Sequence, residues 1–280
     1  MWRIFLTFFL GLYIYSSKAQ GLLDNGPWAN EPAKLAKSTK LANSILQCVY
    51  HYSIIDNEVQ NIREYDAIVE IGDSICKYEC YQKFRLDSVL TTLGTISNKE
   101  YFALSQKYSP SFSEYLIQNL NTRNLDYYGR ISIDNFTYKE TIPNIDWELE
   151  DSTKTICGYL CHQATCNFRG QKWTAWYCDI PKSVGPWKLN GLPGLILEAI
   201  TEGKDHHFVA TAIRKSNYPI TYIEKDYFKT TRNYYNKSLL DYKSNPGKTW
   251  KNTPLAPKDM NGKALPIPKR KLFFNPLEKE

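Results

Sequence analysis

The sequence predicts a mainly β fold, built as a single curved antiparallel sheet or partial barrel with a few short helices. Aromatic residues make up 14% of the 280 residues, with 21 tyrosines among them, and aromatic side chains favour half-buried pleated surfaces. Short segments rich in β-branched and aromatic residues recur between turn residues, which is typical of antiparallel strands. Hydrophobic residues account for 42% of the chain and charged residues for 23%, so we expect a substantial core.

The first 19 residues have the features of a secretory signal peptide. Arg3 supplies a positive start, residues 4–15 form an apolar run, and residues 16–19 end it with small side chains at the expected cleavage spacing. The run is too short to cross a bilayer, and no later segment is long and apolar enough. We therefore expect an exported protein, periplasmic or secreted, with no membrane span in the mature chain. A buried N-terminal helix is the alternative.

The charge pattern gives no reason to expect a nucleic-acid partner. The net charge is +6, and the basic residues are spread along the chain apart from Lys269-Arg270-Lys271. Such a triplet near a chain end is typical of a solvated tail. An exported protein also rarely meets nucleic acid, so we expect none to bind.

The elements are predicted in chain order. Residues 20–43 form a polar lead-in, and residues 44–243 form the antiparallel β domain. The first three strands of this domain are predicted over 44–55, 65–71 and 74–84, where β-branched and aromatic residues are concentrated.

A helical insert near residues 98–121 interrupts the strands. Ser97 with Glu100 has the spacing of a capping box, and Ser111 with Glu114 repeats it. Because each box marks a helix start, we predict short helices over 98–107 and 112–121.

Strands return after the insert. Asp134-Asn135 and Arg169-Gly170 are predicted as tight turns, and residues 202–205 connect another hairpin. The predicted elements are strands over 127–133, 136–142, 155–168, 172–180, 195–201, 206–214 and 220–223, followed by a helix over 224–236. Residues 244–280 carry six of the 14 prolines. They are therefore predicted to wrap over the domain as a tail without regular helix or central strand.

One segment of the chain carries a specific resemblance. It contains Phe168-Arg169-Gly170, Trp173-Thr174-Ala175-Trp176-Tyr177, Gly185-Pro186-Trp187-Lys188 and Gly191-Leu192-Pro193-Gly194-Leu195-Ile196. In order and spacing, these residues resemble the GLPGLI family of secreted Bacteroidota proteins, which is named after positions 191–196. The closing Asn275-Pro276-Leu277-Glu278 resembles the C-terminal signature of that family. The resemblance implies a signal peptide and a shared fold, and it implies no activity, since the family has no established one.

The motif residues are interpreted as structural. Pro193-Gly194 suits the central positions of a type II turn, in which Pro fixes φ and Gly accepts a positive φ. Leu192, Leu195 and Ile196 would anchor this turn in the core. A phosphate-binding loop is the alternative, but the spacing of a known phosphate loop is absent. The residues assigned to this structural motif are Phe168, Arg169, Gly170, Trp173, Trp176, Pro186, Gly191, Pro193 and Gly194.

Seven cysteines in an exported protein predict disulfides, and the chain is richer in cysteine than the family pattern. The odd number leaves at least one thiol free, bound to a partner chain or ligating something. If Arg169-Gly170 are the two loop residues of their hairpin, Cys161 lies opposite Cys178 across neighbouring strands. The hairpin therefore predicts a Cys161–Cys178 disulfide.

Two further cysteine pairs have a spacing of four. Cys76 and Cys80 would lie on one face of a strand, as would Cys157 and Cys161. If the two strands were neighbours, the pairs would cross-link or form a four-thiolate cluster.

A metal site is an alternative use of the surplus cysteines. Cys161, His162 and Cys166 are candidate ligands for copper or zinc, and the adjacent His206 and His207 are a further histidine pair that suggests a soft-metal site. Because adjacent residues on a strand point to opposite faces, His206 and His207 would not easily bind the same metal ion. We therefore expect disulfides rather than a metal, and no resident cofactor.

The sequence gives no positive reason to propose catalysis. It contains none of the common serine-hydrolase, zinc-protease, dinucleotide or phosphate-loop motifs. We expect a non-enzymatic envelope protein that binds an apolar small molecule, a peptide or an envelope protein on a concave, aromatic-rich sheet face. A periplasmic protein that handles copper or zinc and a hydrolase with dispersed catalytic residues are the alternatives.

Overall fold

The computed structural model describes residues 26–56, 58, 61–250, 256, 258–263, 265–266 and 270–280. The predicted signal peptide, residues 20–25 of the lead-in and Lys269 lie outside the described residues. The described chain is mainly β, with a large open sheet that is antiparallel apart from one short edge pair. The predicted fold class is therefore confirmed. No helix among these residues has the length and apolarity needed to cross a membrane.

The described residues form fourteen strands, four α-helices and one short 3₁₀ helix (Pro27–Asn30). The strands are β1 (Ser38–Asn43), β2 (Leu46–Asp56), β3 (Asn61–Ile71), β4 (Ile75–Cys80), β5 (Tyr115–Asn119), β6 (Asn124–Ile131), β7 (Asp134–Thr141), β8 (Glu148–Ile156), β9 (Tyr159–Phe168), β10 (Gln171–Cys178), β11 (Leu195–Thr201), β12 (His206–Lys215), β13 (Pro219–Ile223) and β14 (Phe228–Lys229). The helices are α1 (Tyr81–Leu93), α2 (Asn98–Tyr108), α3 (Arg232–Ser244) and α4 (Pro246–Trp250).

Twelve strands form the large sheet, in the order β14-β7-β6-β5-β4-β3-β2-β12-β11-β10-β9-β8. All neighbours are antiparallel except the short parallel pair β14–β7. Strands β1 and β13 form a separate antiparallel pair. Most neighbours in the large sheet are consecutive in the chain, which is the arrangement that short hairpin connections produce.

The described chain divides into two compact units. The smaller comprises residues 26–36 with Gln82–Pro110, and the larger comprises the described residues of Lys37–Tyr81 and Ser111–Glu280. In the smaller unit, Ser97 caps α2 and forms the complete capping box with Glu100 that its spacing predicted. The larger unit contains both sheets and all residues of the family motif.

The helix predicted over 112–121 is wrong. The structure forms β5 there, with Tyr115, Leu116, Ile117 and Gln118 all buried. The local spacing of Ser111 and Glu114 favoured a helix, but pairing of this segment between β4 and β6 buries both of its faces. Tertiary pairing thus overrides a short capping signal.

Other boundaries also differ from the sequence predictions. The long strand predicted over 155–168 is broken by a turn at Cys157-Gly158, where both residues have positive φ. The turn predicted at Asp134-Asn135 lies two residues earlier, at Ser132-Ile133. Helix α1 follows β4 where a continuous strand was predicted, and the last long helix lies at α3 rather than over 224–236. The short α4 begins within the predicted irregular tail, since Pro is tolerated at the first helical position.

A row of stacked aromatic rings forms the centre of the core. The ring centroids of Tyr52 and Phe208 are 4.0 Å apart, and Phe208 lies 6.5 Å from Trp173. The row continues from Trp173 to Trp187 at 6.2 Å and from Trp187 to Phe168 at 5.7 Å. The first three of these side chains come from β2, β12 and β10, whereas Trp187 comes from the loop after β10. The loop therefore supplies core residues to the sheet.

Loop and tail side chains fill the aromatic face of the sheet. Leu189 and Leu192 from the same loop are fully buried in this core, and Phe273 and Leu277 from the C-terminal segment pack against it. A concave apolar face was predicted to receive a ligand. In the described chain, these loop and tail side chains pack with the aromatic core of the sheet, and the ligand role of the face stays a prediction.

Candidate functional site

The hairpin corner of the family motif is a two-residue turn. Arg169 and Gly170 have φ values of 53° and 69°, as a type I′ hairpin turn requires. Phe168 and Gln171 face each other on either side of it. The predicted turn is therefore confirmed, and it places the Arg169 side chain at the end of β9.

Residues 191–196, which we call the name motif, form a tight loop, but this loop is not the predicted type II turn. Gly194 does not have a positive φ, whereas Gly191 does, at 93°. Gly194 is required for a different reason, since a Cβ there would collide with the carbonyl oxygen of Cys178. Leu192, Leu195 and Ile196 are buried around it. The motif therefore holds the loop against the end of β10 through close backbone approach.

The motif loop, as we call residues 179–194 between β10 and β11, places Lys188 at the centre of an ion network. Its side chain is fully buried, and its Nζ lies 2.5 Å from Glu140 Oε1 and 2.6 Å from Glu278 Oε1. The ammonium also donates to the hydroxyl of Tyr138 at 3.0 Å. A buried ammonium is stabilised only if charged or polar partners replace water, and this arrangement provides three.

Two arginines complete the network. Arg169 Nη2 lies 2.9 Å from Glu140 Oε2, and Arg232 Nη1 lies 2.7 Å from Glu278 Oε2. Burial alone would raise the pKa of Glu278, but Lys188 and Arg232 together lower it below its usual value. Three cations thus contact two carboxylates, and two of these cations, Arg169 and Lys188, belong to the motif segment.

The network anchors the C-terminal signature, and backbone contacts extend the anchor. Gln171 Nε2 donates to the Leu277 carbonyl at 2.8 Å, and the Lys279 amide donates to the Arg169 carbonyl at 3.0 Å. Asn275 Nδ2 donates to the Ile55 carbonyl at 2.7 Å. We call residues 270–280 the C-terminal strap, because they are fastened along the ends of β2, β9 and β10.

Asp205 forms a second anchor for the strap. Its Oδ2 accepts from Asn275 Nδ2 at 2.8 Å and from Lys279 Nζ at 2.9 Å, and its Oδ1 accepts from Thr201 Oγ1 at 2.6 Å. Burial would raise the pKa of Asp205, but these donors hold it well below its usual value. The neighbouring His206 is buried, and burial lowers its pKa to about 4.

An open cleft of about 470 Å³ lies beside the motif loop. One wall is the loop itself, a second is the turn between β5 and β6, and the third is the connection from β7 to β8. Its polar groups include a guanidinium, a carboxylate, two side-chain amides and a hydroxyl. The lining residues are Leu120, Arg123, Ile142, Asn144, Ile145, Asp146, Ser183, Asn190 and Gly191.

Hydrogen bonds fix the loop wall of the cleft. Asn190 Nδ2 donates to the Lys188 carbonyl at 2.9 Å, and Trp147 Nε1 donates to the Asn190 carbonyl at 2.8 Å. Ser183 Oγ accepts from the Gly191 amide at 3.1 Å. The motif loop therefore enters the cleft with its polar groups already oriented.

Arg123 lies on a second wall of the cleft, in the turn between β5 and β6. It has a φ of 54°, which is uncommon for a residue other than glycine. Its Nη2 donates to Asn144 Oδ1 at 2.7 Å and to the Ile142 carbonyl at 3.1 Å. These bonds connect two walls of the cleft. Asp146 lines the cleft as an exposed carboxylate.

The remaining motif residues are distributed through the core and surface. Phe168, Trp173 and Pro186 are buried, and Pro193 is exposed. Trp176 is half-buried beneath Lys154, whose Nζ lies 4.3 Å from the ring centroid. Of the nine motif residues, Gly191 lines the cleft and Arg169 joins the ion network.

The predicted cysteine positions are only partly brought together. Cys161 and Cys178 are direct register partners on β9 and β10, as the turn predicted. Cys76 and Cys80 lie on β4, which five strands separate from β9, so the premise that their strand neighbours that of Cys157 and Cys161 is wrong. All seven cysteines have free thiols in the structure.

The candidate metal ligands do not form a cluster. Cys161 and Cys166 are buried, whereas His162 is half-exposed and its ring lies 5.8 Å from that of Tyr177. His206 is buried with its Nδ1 2.8 Å from the Tyr52 hydroxyl. Within the described ranges, no group of three or more His, Cys, Asp or Glu side chains is placed to hold a metal ion.

Sequence reasoning did not identify Glu140, Arg232 or Arg123. Each is separated by at least nineteen residues from its charged or polar partner. None belongs to a local motif. In the sequence, the opposite charges of Lys188 in the motif segment and Glu278 in the C-terminal signature were a weak signal of this network.

Comparison with known proteins gives a family match and several distant structural likenesses. No curated protein matches the sequence. Two solved structures, described as "Structure of PNGF-II" in the P21 and C2 space groups, are each 12% identical to this chain, with TM-scores of 0.47 and 0.46. They cover 71% of this chain and 34% and 33% of their own, so the chain spans about one third of their length.

The family match falls on the segment whose geometry is described above. Residues 168–198 match a family model described as a protein of unknown function (Porph_ging). These residues run from the Arg169-Gly170 corner through the motif loop to β11. The match confirms the resemblance noted in the sequence: residues 168–198 carry the signature of the Porph_ging family, the GLPGLI-type family of Bacteroidota proteins of unknown function.

Proposed function

We propose that this protein is an exported, non-enzymatic binding protein that holds a peptide segment in the cleft beside the motif loop. The observation that carries the proposal is the composition of that cleft. Its volume of about 470 Å³ is within the range of ligand sites. Its walls combine oriented polar groups with the apolar side chains of Leu120, Ile142 and Ile145.

A peptide is the ligand that these groups suit best. A peptide backbone presents alternating donors and acceptors, and the cleft lining carries both: the Asn144 Nδ2 group and the Ser183 hydroxyl can donate, and Asn190 Oδ1 can accept. Asn190 Nδ2 and Asn144 Oδ1 already bond within the protein. Arg123 and Asp146 add one charge of each sign, which would recognise charged side chains of the ligand. Apolar side chains would lie against the three aliphatic residues of the lining.

The other functions have less support in the described chain. An apolar small molecule would need the aromatic face, which Trp187, Leu189 and Leu192 already fill. A metal-handling role would need a cluster of ligands, and the candidate residues are dispersed. A hydrolase would need a base beside a nucleophile. In the cleft, Ser183 accepts a bond from the Gly191 amide, and the lining residues include no histidine.

The test is a binding screen with a synthetic library of short, terminally blocked peptides against the purified full chain. Fluorescence polarisation measures binding, and Arg123→Ala and Asp146→Asn locate it. Removal of one hydrogen-bonded charge from a peptide site typically costs ~1.5–3 kcal/mol. We therefore expect each variant to weaken the best peptide by about tenfold or more.

Arg130→Ala is the matched control. Arg130 is also an exposed arginine that donates to a backbone carbonyl, that of Ser132 at 2.8 Å, but it lies at the other end of β6. This variant should bind as the unmodified protein does. The proposal is wrong if no peptide binds, or if peptides bind equally to all three variants.

A further inference from the structure

We infer that Cys161 and Cys178 form a disulfide that joins β9 to β10. The two residues are direct Cα partners in the register of these antiparallel strands. The other strand cysteines of the described chain face different residues: Cys48 faces Val69 and Ile213, Cys76 faces Ile71 and Gln118, Cys80 faces Ala67, and Cys166 faces Trp173. Within the described strands, the ladder therefore sets two thiols opposite each other only at this pair.

The hairpin geometry shows whether Cys161 and Cys178 form a hydrogen-bonded or a non-hydrogen-bonded pair. Across a two-residue turn, the flanking residues Phe168 and Gln171 exchange backbone hydrogen bonds, and the pairs then alternate along an antiparallel ladder. The register runs from this pair to Cys161 and Cys178 without a shift. Counting along it makes Cys161–Cys178 a non-hydrogen-bonded pair.

Non-hydrogen-bonded pairs are the ones in which side chains approach most closely. Their Cα atoms lie about 4.5 Å apart, against about 5.5 Å for the hydrogen-bonded kind. Disulfides span Cα separations of about 4.4–6.8 Å. A non-hydrogen-bonded register pair is therefore expected to hold the two cysteines at a separation that a disulfide can bridge.

The burial of both thiols indicates when the bond forms. Cys161 and Cys178 are fully buried, and burial raises the pKa of Cys161 to about 11 and that of Cys178 above its usual value. Since the thiolate is the reactive form, the folded, reduced pair would exchange slowly. We therefore expect oxidation during folding, before the hairpin is covered.

The oxidant is a small-molecule disulfide such as oxidised glutathione. One cysteine thiolate attacks it to form a mixed disulfide and release one glutathione thiolate. The second cysteine then displaces the second glutathione. The two cysteines together lose two electrons and two protons, and the glutathione disulfide is reduced to two thiols.

A competing bridge would involve Cys157 or Cys48. Cys157 lies near enough to interact electrostatically with both Cys161 and Cys48, and Cys48 lies near enough to interact with Cys178. Cys157 is exposed, and its Sγ donates to the Ala210 carbonyl at 3.1 Å. Neither Cys157 nor Cys48 has a cysteine as a strand partner. The test must therefore identify which two cysteines are linked, by mapping the disulfide-linked peptides.

The experiment uses the full chain, reduced and unfolded, then refolded with reduced and oxidised glutathione. The product is denatured, alkylated without reduction, digested and mapped by mass spectrometry. We expect a peptide pair linked through Cys161 and Cys178, which disappears when the sample is reduced before digestion. The folded, reduced protein should acquire this link at least tenfold more slowly. Absence of the link, or a bridge through Cys157 or Cys48 in its place, would overturn the inference.

Cys161→Ala and Cys166→Ala form a matched pair of variants, since both remove a buried cysteine from β9. Cys166→Ala should keep two cysteines protected from alkylation, because Cys166 faces Trp173 and takes no part in the proposed disulfide. Cys161→Ala should leave every remaining cysteine alkylated. The peptide map of the unmodified chain tests the pairing even where a variant fails to fold, and it does not depend on peptide binding at the cleft.

Discussion

The Nζ of Lys188 lies 2.6 Å from Oε1 of Glu278 and joins the motif loop to the C-terminal strap. Ninety positions separate these residues, yet both belong to segments that resemble the family. Arg169, at the hairpin corner of the same motif, binds Glu140 in the same network. Two charged residues of the motif segment, Arg169 and Lys188, therefore belong to the network that fastens the strap.

Lys188→Met tests the contribution of this ion pair to stability. The change keeps the length of the buried Lys188 side chain but leaves the mostly buried Glu140 and Glu278 carboxylates without their shared cation. Loss of one partner of a buried pair typically costs ~3–5 kcal/mol. We expect a decrease of that order in the free energy of unfolding, measured by urea denaturation.

Lys172→Met is the control for this change. Lys172 forms a similar pair with Glu202 at 3.0 Å, but both side chains are exposed to solvent. Exposed pairs contribute little, so the urea midpoint should hardly move. Equal effects of the two substitutions would show that the buried network does not stabilise the fold.

Glu278→Gln tests whether the network holds the strap in place. The amide keeps the shape of the carboxylate but removes the charge that Lys188 and Arg232 contact. We expect faster hydrogen exchange across the described strap, residues 270–280, while the exchange of β9 and β10 changes less. Hydrogen exchange with mass spectrometry measures this difference.

Glu280→Gln provides the comparison, since Glu280 is exposed and contributes its backbone carbonyl rather than its carboxylate to Arg232. This variant should leave the exchange of the strap unchanged. If Glu278→Gln also leaves it unchanged, the strap is held by Asn275, Lys279 and its apolar side chains rather than by the ion network.

The fold was predictable where local chemistry decided the geometry. Arg169-Gly170 has the composition of a tight turn, and the register that follows from it places Cys161 opposite Cys178, as found. Ser97 and Glu100 likewise form the predicted capping box. In both cases the residues that determine the structure are close in sequence.

Prediction failed where distant segments decided the outcome. Ser111 and Glu114 repeat the capping spacing of α2, yet burial between β4 and β6 makes the following residues a strand. Arg123 and Asn144 line the cleft together although no motif connects them. The filling of the aromatic face by Trp187 also depends on a loop path that hydrophobic patterning does not encode.

The Asp205–His206 region should make the folded protein less stable in mild acid. Burial lowers the pKa of His206 from its usual 6.5 to about 4. Between these values the unfolded chain binds a proton that the folded chain does not, so stability falls as the pH decreases from 6.5 to 4. The depressed pKa of Asp205 acts in the same direction, since the stability it contributes above its unfolded pKa is lost as the pH falls further.

The lowered pKa of His206 should reduce the free energy of unfolding by up to about 3 kcal/mol over this pH range, at ~1.4 kcal/mol for each pKa unit. Urea denaturation at a series of pH values measures it. His206→Gln should flatten the dependence between pH 6.5 and 4. A His206→Gln protein that retains the full acid sensitivity would assign the effect to other groups.

Gly194→Ala tests why the name motif requires glycine at this position. Gly194 does not use a positive φ, so a model based on turn type predicts little effect from alanine. The structure predicts a large one, because the added Cβ would collide with the carbonyl oxygen of Cys178, a backbone atom that cannot move without displacing β10. Overpacking in a fixed environment typically costs ~1–3 kcal/mol or more.

Gly203→Ala separates this clash from the general effect of replacing a glycine. Gly203 also has no positive φ, and the nearest atom to its added Cβ is Asp205 Oδ1 at 3.4 Å, an ordinary contact. Thermal unfolding of the two variants should show a clear decrease in the midpoint for Gly194→Ala and little change for Gly203→Ala. Equal midpoints would mean that the loop can withdraw from β10, and the explanation of the motif as a close backbone contact would then be wrong.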